Sequence, residues 1–80
     1  MIDNVSQATL DVIEAIRKQI PVKFTYEDHT RIINPISFYG DFYGFEGTYA
    51  EDKTKHKKFS FDKINDWQGL VLWILIKSLY

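Results

Sequence analysis

Cysteine is absent from this chain, proline occurs only twice, and neither sign of charge is in clear excess. Without cysteine there can be no disulfide, no thiol chemistry and no cysteine-ligated metal site, a composition that fits a cytoplasmic protein. Ten Lys and Arg side chains against eleven Asp and Glu give a formal net charge of −1. Binding to nucleic acid would therefore need a local basic patch.

Long apolar runs are absent as well. The longest, residues 70–76, is far below the roughly 18 residues that would suggest a membrane span. The first residues carry early acidic side chains and no apolar segment, so we expect no secretory signal and no membrane association.

The chain is instead rich in residues that build a core. Hydrophobic residues make up 45% of it and aromatic residues 16%, well above the content of a disordered chain. We therefore expect one packed domain over residues 1–80. A chain this short buries a modest share of its surface, so its stability will be marginal without a partner.

A helix is predicted over residues 4–20. Apolar residues recur along it at three- and four-residue spacing, which is typical of a helix with one buried stripe. Asn4 is placed to cap its first turn, with Gln7 reaching back, and Pro21 ends it. We expect this helix to lie across an open end or a face of a sheet.

Five strands are predicted, and the central hairpin is the best defined. Gly40 and Asp41 fit a two-residue type II′ turn, which puts Tyr39 opposite Phe42. Pro35 removes a ladder donor and predicts an edge, a bulge or a bend. Both faces of the hairpin carry apolar side chains, so we expect it to be covered on both sides or closed into a small barrel. The predicted strands are about 22–27, 31–39, 42–49, 57–62 and 70–77.

Alternation and glycine positions add detail to this sheet. Val22, Phe24 and Tyr26 are expected to face inward, and residues 50–56 form a polar loop. Gly44 and Gly47 leave notches that mark a bulge or the close approach of a backbone or a ligand. The alternative is that a neighbouring aromatic ring fills the notch.

The segment from Gly69 to Tyr80 is almost entirely apolar and needs cover on both sides. Its content of Val, Ile and Trp favours a strand, and a short helix is the alternative. An exposed strand of this kind would aggregate, so we expect it to finish the sheet or to pair with another copy of the chain. The predicted interaction surface consists of Leu70, Leu72, Trp73, Ile74 and Ile76.

Four segments together resemble the WYL domain over residues 15–67. They are AIRKQIPVKFTY, the Arg31-x-x-x-Pro35 spacing, the aromatic pair Phe42-Tyr43, and the late FSFDKI. The family fold is an Sm/SH3-like β-barrel with an N-terminal helix. The resemblance therefore implies a mainly β (α+β) fold, a small five-stranded antiparallel barrel preceded by one helix.

Family members are mostly bacterial transcriptional regulators in which this domain follows a winged-helix domain and senses nucleotides or single-stranded nucleic acid. The resemblance covers only this ligand-sensing domain and not the winged-helix domain. Phe42 and Gly44 replace the Trp and Leu of the family triplet, while Ser60 and Lys63 replace two arginines. Lysine cannot reproduce the bidentate fork of arginine.

Cations and aromatic rings together form the candidate ligand site, because cations hold phosphates and rings stack on bases. Arg31 would clamp a phosphate, Lys63 would add a second charge, and Tyr43 would stack or hydrogen-bond. Replacing Arg31 by Ala should abolish binding without unfolding the protein. The alternative is that the tyrosines belong to the core or its rim and the lysines solvate a strand. Tyr26, Tyr49, Lys57 and Lys58 complete the candidate set.

Nothing in the sequence predicts catalysis. His29 and His56 are far apart in polar turns, without convergent partners for a metal ion or a general base. We therefore expect no enzyme, no metal and no cofactor. The two remaining hypotheses are a regulatory module that binds nucleic acid or a nucleotide, and an interaction protein whose tail makes a homodimer or docks on a regulator.

Overall fold

The fold comes from a computed structural model that describes residues 3–72, with side chains from Gln7 onward. No helix in this part of the chain is long and apolar enough to cross a membrane. The elements are α1 (Asp3–Lys18), β1 (Val22–Tyr26), β2 (His29–Tyr39), β3 (Gly44–Tyr49), β4 (Asp52–Ser60), a 3₁₀ turn (Phe61–Lys63) and β5 (Ile64–Leu70).

The strands form one antiparallel sheet in the order β4-β3-β2-β1-β5. One N-terminal helix and five antiparallel strands were predicted, and both are confirmed. β4 and β5 are the two edges of the sheet, and within residues 3–72 they do not pair with each other. The sheet is therefore open, and its predicted closure into a barrel is not confirmed.

α1 ends two residues before the predicted position. Gln19 adopts a left-handed conformation (φ 58°), and the amide of Ile20 donates to the carbonyl oxygen of Ala15 at 3.0 Å. This six-to-one bond is the Schellman pattern that closes many helices. The cap predicted at Asn4 lies outside the described side chains. Gln7 donates to Asp11.

The turn predicted between β2 and β3 is wrong in length. Tyr39 pairs with Gly44 rather than with Phe42, so four residues form the loop. The amide of Tyr43 closes it by donating to the carbonyl oxygens of Tyr39 and Gly40, both at 3.1 Å. A two-residue turn would have placed Phe42 and Tyr43 in the ladder, whereas the longer loop leaves them outside it.

Pro35 produces the predicted irregularity. The pairing of β2 with β3 shifts between Pro35 and Ser37, which is a bulge at Ile36. The extra residue changes which side chains face the core beyond it. Strict alternation would put Phe38 on the face opposite Ile33, but with the bulge it packs against the same core as Ile33.

The two other hairpins are tighter than predicted. Only Glu27 and Asp28 connect β1 to β2, both with positive φ (54° and 63°), as in a type I′ turn. Tyr49 pairs with Asp52, so the loop predicted over residues 50–56 is wrong beyond residue 51. β4 starts earlier than predicted, and it gives way to the 3₁₀ turn after Ser60.

The last described strand is one that the sequence did not predict. β5 covers Ile64–Leu70 and pairs with β1, with a shift in register opposite the stretch from Lys23 to Thr25. Leu70, from the predicted tail, is its last residue, and Leu72 is 51% exposed. The rest of the predicted strand and surface, including Trp73, Ile74 and Ile76, lies outside the described residues.

The core is aromatic and centred on Phe24, as expected for β1, whose Val22, Phe24 and Tyr26 are all buried. The Phe24 ring lies 5.1 Å from that of Phe59 on β4 and stacks on Trp67 of β5 at 5.4 Å. In a flat sheet β1 and β4 would be about 14 Å apart. The sheet is therefore strongly bent around this centre. α1 covers the core with Ala8, Val12 and Ala15.

Candidate functional site

The loop of residues 40–43, here called the aromatic loop, carries two exposed rings. Phe42 is 54% exposed and Tyr43 53%. Gly40, Asp41 and Phe42 all have positive φ, between 56° and 70°. Glycine adopts this conformation readily, but a bulky residue such as Phe42 does so at a cost. The loop therefore holds two large apolar groups in solvent on a strained backbone.

Contacts with the 3₁₀ turn hold the aromatic loop in place. The amide of Phe61 donates to the carbonyl oxygen of Tyr43 at 3.1 Å, and the Tyr43 hydroxyl donates to Oδ2 of Asp62 at 3.3 Å. The Phe42 ring packs edge-on against Phe38, with centroids 4.7 Å apart. The exposed rings thus have fixed positions at the end of the sheet.

Tyr39 fills the notch beside the loop. A Cβ on Gly44 would lie 2.6 Å from the Tyr39 hydroxyl oxygen and 2.3 Å from the carbonyl oxygen of Phe59. At Gly47 it would lie 2.3 Å from the carbonyl oxygen of Asn34. Both glycines are required by the close approach of neighbouring atoms of this chain, and at Gly44 one of them is the predicted aromatic ring.

Burial raises the pKa of Tyr39, and the nearby Tyr26, Tyr43 and Asp62 add to the rise. The phenol therefore stays neutral throughout the physiological range. Lys58 lies over this ring, with Nζ 5.3 Å from its centroid, within the range of a cation–π contact. This contact places one ammonium group beside the Tyr39–Tyr43 pair, whose centroids are 6.1 Å apart.

β4 brings several further cations to one edge of the sheet. Lys57 lies 4.0 Å from Glu27, and Lys63 is exposed on the 3₁₀ turn that follows β4. The basic edge, as we call it, consists of Lys53, Lys55, Lys57 and Lys58.

The Arg31 guanidinium binds acceptors within the protein and does not face solvent. Its side chain is only 12% exposed. Nε and Nη2 donate to the carbonyl oxygen of Tyr26 at 3.2 and 3.1 Å, Nη1 donates to the Tyr49 hydroxyl at 2.7 Å, and Nη2 also reaches Glu27 at 3.3 Å. These bonds occupy four of the five guanidinium N–H groups. The guanidinium also lies over the rings of Tyr26 and Phe59.

Five of the seven predicted site residues fall into two groups, while Lys57 lies on the basic edge and Lys63 on the 3₁₀ turn. Arg31, Tyr26 and Tyr49 form a largely buried network, while Tyr43 and Lys58 lie at the aromatic loop. Tyr26 also contacts the end of β4, since its hydroxyl is 3.3 Å from the Ser60 hydroxyl. Among the described residues no hydrogen bond, ion pair or ring contact joins Arg31 to Tyr43 or to Lys63.

Both histidines are exposed, but they lie in strands rather than in turns. His29 begins β2, and Nε2 of His56 on β4 lies 3.4 Å from a Glu46 carboxylate oxygen. Within residues 3–72 no three His, Asp or Glu side chains are grouped in a way that could hold a metal ion.

Two residues of the arrangement were not predicted as site residues, namely Tyr39 and Phe42. The sequence did contain a signal for Phe42, because the predicted resemblance to the WYL domain puts it in the place of the triplet tryptophan. The assumed two-residue turn hid it by placing it in a strand. Tyr39 gave no signal of its own, since its contact with Lys58 depends on the true register.

Comparisons of the chain with protein-family models, with curated proteins and with solved structures give no match in any of the three. The resemblance to the WYL domain stays a prediction, and the function has to be inferred from the residues of this chain.

Proposed function

We propose that this chain is a non-catalytic, WYL-like binding module that takes single-stranded nucleic acid or a nucleotide at the aromatic loop and thereby serves transcriptional regulation. The observation that carries the proposal is the pair of half-exposed rings, Phe42 and Tyr43, on one loop, with the ammonium group of Lys58 over the Tyr39 ring that neighbours Tyr43. The link to transcription rests on the family resemblance alone.

The proposed overall architecture is an Sm/SH3-like barrel that is incompletely closed. Its support is the bend of the sheet, which brings rings from β1 and β4 to within 5.1 Å of each other. The Tyr26–Ser60 hydroxyl contact spans the same gap. Small barrels of this kind bind single strands on a surface that combines aromatic rings with cations.

Stacking provides the base-binding half of the site. A planar base can lie on an exposed ring without a sequence-specific hydrogen bond, which suits rings that are fixed but not covered. The contacts of Tyr43 with Asp62 and of Phe42 with Phe38 fix the ring positions before binding, so less side-chain freedom is lost when a base stacks.

Lysines provide the phosphate-binding half. Lys58 lies over the Tyr39 ring, Lys63 is exposed on the 3₁₀ turn that contacts the aromatic loop, and the remaining lysines of the basic edge lie earlier in β4. Successive residues of a strand are about 3.3 Å apart, so the basic edge is long enough to track several phosphates. Arg31 is not part of this phosphate-binding surface, because most of its N–H donors already bind acceptors within the protein. Its role is to hold together the strands beneath the surface.

An amide NMR titration with a short single-stranded DNA, an RNA of the same length and mononucleotides tests the proposal. Saturable shifts are expected at Tyr43, Phe42 and Lys58. Tyr43→Ala should weaken binding by roughly 5- to 100-fold, the loss of one stacked base. Lys58→Gln should lower the slope of log K against log salt by about 0.7 for a single strand.

Leu10→Ala is the matched control, because Leu10 is also an exposed apolar residue (60%) but lies on α1. It should bind like the wild type. Absence of shifts with every nucleic acid and nucleotide, or equal losses in the Tyr43 and Leu10 variants, would contradict the proposal.

Association through the apolar tail is the second candidate function, in a homodimer or with a regulator protein. It is favoured by the exposure of Leu72 at the end of the described chain. If it is correct, truncation after Leu72 changes the oligomeric state measured by sedimentation. A chain whose state is unaffected by the truncation would count against it.

A further inference from the structure

A carboxylate, that of Asp62, lies at the rim of the aromatic loop. Asp62 is exposed on the 3₁₀ turn, and its Oδ2 accepts the hydrogen bond from the Tyr43 hydroxyl at 3.3 Å. The amide of Phe61, the residue before it, donates to the carbonyl oxygen of Tyr43 at 3.1 Å. These two bonds tie the turn to Tyr43 and keep the carboxylate at the hydroxyl end of a ring that is 53% exposed.

Most of the acceptor capacity of Asp62 remains unused. An ionised carboxylate has two oxygens with about four lone-pair positions, and the Tyr43 hydroxyl occupies one of them. In the part of the chain that the structure describes, Oδ1 of Asp62 accepts no hydrogen bond, and neither oxygen forms an ion pair. The carboxylate can therefore accept further donors beside the ring on which a base is proposed to stack.

The edge of a base stacked on Tyr43 would face this carboxylate. A carboxylate accepts hydrogen bonds and repels other acceptors. Adenine and cytosine each present one amino group next to an acceptor nitrogen, while uracil and thymine present one N–H between two carbonyl oxygens. Guanine alone offers two N–H donors side by side, N1–H and the 2-amino group, and so matches the two oxygens of a carboxylate. Single-stranded bases are commonly read by hydrogen bonds to this Watson–Crick edge.

We propose that Asp62 is the specificity-determining residue of the aromatic loop and selects a guanine base stacked on Tyr43. This inference rests on the proposed function and names the base that the site prefers. The ligand is a guanine mononucleotide or a guanine within a single strand, since both present the same edge. In either case the phosphate contacts come from Lys63, exposed on the same turn, and from Lys58.

Binding of mononucleotides to the wild-type chain, followed by NMR, tests the choice of base. We expect GMP to bind about 5- to 150-fold more tightly than AMP, CMP or UMP, the discrimination given by a bidentate contact. IMP, which lacks the 2-amino group, should lose most of this advantage. The 7-deaza analogue of GMP, altered on a different edge of the base, should keep it. Equal affinities for GMP and AMP would overturn the proposal, because stacking on a purine would then explain all of the binding.

A series of single strands distinguishes the two sources of guanine. Short oligothymidylates are compared with the same strand carrying one central dG, dA or dC. A gain from dG without binding of GMP assigns the site to single strands, and binding of GMP without a gain from dG assigns it to free nucleotides. Both results support selection of guanine. Equal affinity for all strands, together with equal affinity for all mononucleotides, would overturn it.

Asp62→Asn tests the residue itself. The amide keeps an acceptor for the Tyr43 hydroxyl but replaces the second acceptor with a donor, so the preference for guanine should fall by about fivefold or more while binding persists. Asp66→Asn is the matched control. It removes the same charge from an exposed aspartate on β5, whose side chain accepts from Gln68 at 3.1 Å, and it should leave the preference unchanged.

An Asp62→Asn protein with the wild-type preference for guanine, or the same change of preference in the Asp62 and Asp66 variants, would overturn the proposal. Both outcomes leave the proposed function intact, because the chain still binds nucleotides or single strands. Absence of binding by the wild-type chain to every nucleotide and strand contradicts the proposed function, and this inference with it.

Discussion

Among the individual residues, Arg31 differs most from its predicted role. A phosphate clamp needs free, forked N–H groups, yet its fork is directed at the Tyr26 carbonyl oxygen and the Tyr49 hydroxyl. Charge-assisted bonds of this kind are stronger than neutral ones. The guanidinium also covers the edge of the core through Tyr26 and Phe59. We infer that Arg31 ties β1, β2 and β3 together.

Arg31→Ala should therefore lower the free energy of unfolding by about 1.5–3 kcal/mol, the range for hydrogen bonds to a charged group. Arg31→Lys should recover only part of this loss, because an ammonium group cannot satisfy the same acceptors as a planar fork. Urea unfolding followed by Trp67 fluorescence measures both. An Arg31→Ala protein that keeps wild-type stability but no longer binds nucleic acid would instead support the original clamp role.

Part of the candidate site could be predicted from residue types alone. Tyr43 and Lys58 were predicted from the mixture of cations and rings, and both are exposed at one place. The combination with Phe42 and Tyr39 was not predicted. A difference of two residues in turn length decides whether these rings lie in a ladder or on a loop, and Gly40-Asp41 is compatible with both.

Among the elements, β1 was predicted almost to the residue, because its alternation is strict and every second side chain is buried. β5 was missed for the opposite reason. It is an edge strand with three exposed residues, and its partly buried side chains, Ile64, Trp67 and Leu70, recur every three residues because of the bulge. Period-two patterns cannot reveal such a strand. The apolar run after it gave a stronger strand signal, over residues 70–77, most of which lie outside the described residues.

One part-buried contact joins α1 to β5, the first and last of the described elements. The indole N–H of Trp67 on β5 donates to Oδ2 of Asp11 on α1 at 2.8 Å, while Gln7 donates to Oδ1. A carboxylate with two neutral donors needs no counter-ion to be well solvated. The contact fixes the helix against β5 while the Trp67 ring stacks on Phe24.

Asp11→Ala should destabilise the protein by about 1–2 kcal/mol, because the part-buried indole N–H loses its acceptor. Thermal and urea unfolding measure the change, and Trp67 emission should respond as well. Glu14→Ala is the matched control on the same helix. Its ion pair with Lys18 is exposed, so it should cost no more than about 0.5 kcal/mol. Equal losses in the two variants would show that the Asp11 contact adds nothing beyond surface charge.

For the molecule as a whole, the distribution of charge matters more than its sum. A net charge of −1 gives no general attraction to nucleic acid, yet four lysines are gathered along β4. The same lysines have a structural explanation, because β4 is an edge strand with a bulge opposite Thr48 and Tyr49. Charged side chains and bulges keep edges from pairing with other chains. Edge protection requires charge of either sign, whereas phosphate binding requires positive charge.

Changing the sign of the charge on β4 therefore distinguishes edge protection from phosphate binding. Replacing Lys53 and Lys55 by Glu keeps the edge charged, so self-association measured by sedimentation should not change, while affinity for a single-stranded oligonucleotide falls. Replacing both by Thr should give a similar fall in affinity, a salt slope smaller by about 1.4 for two lost phosphate contacts, and increased self-association. Increased association with unchanged affinity would reduce the basic edge to a protective device and confine the proposed ligand site to the aromatic loop.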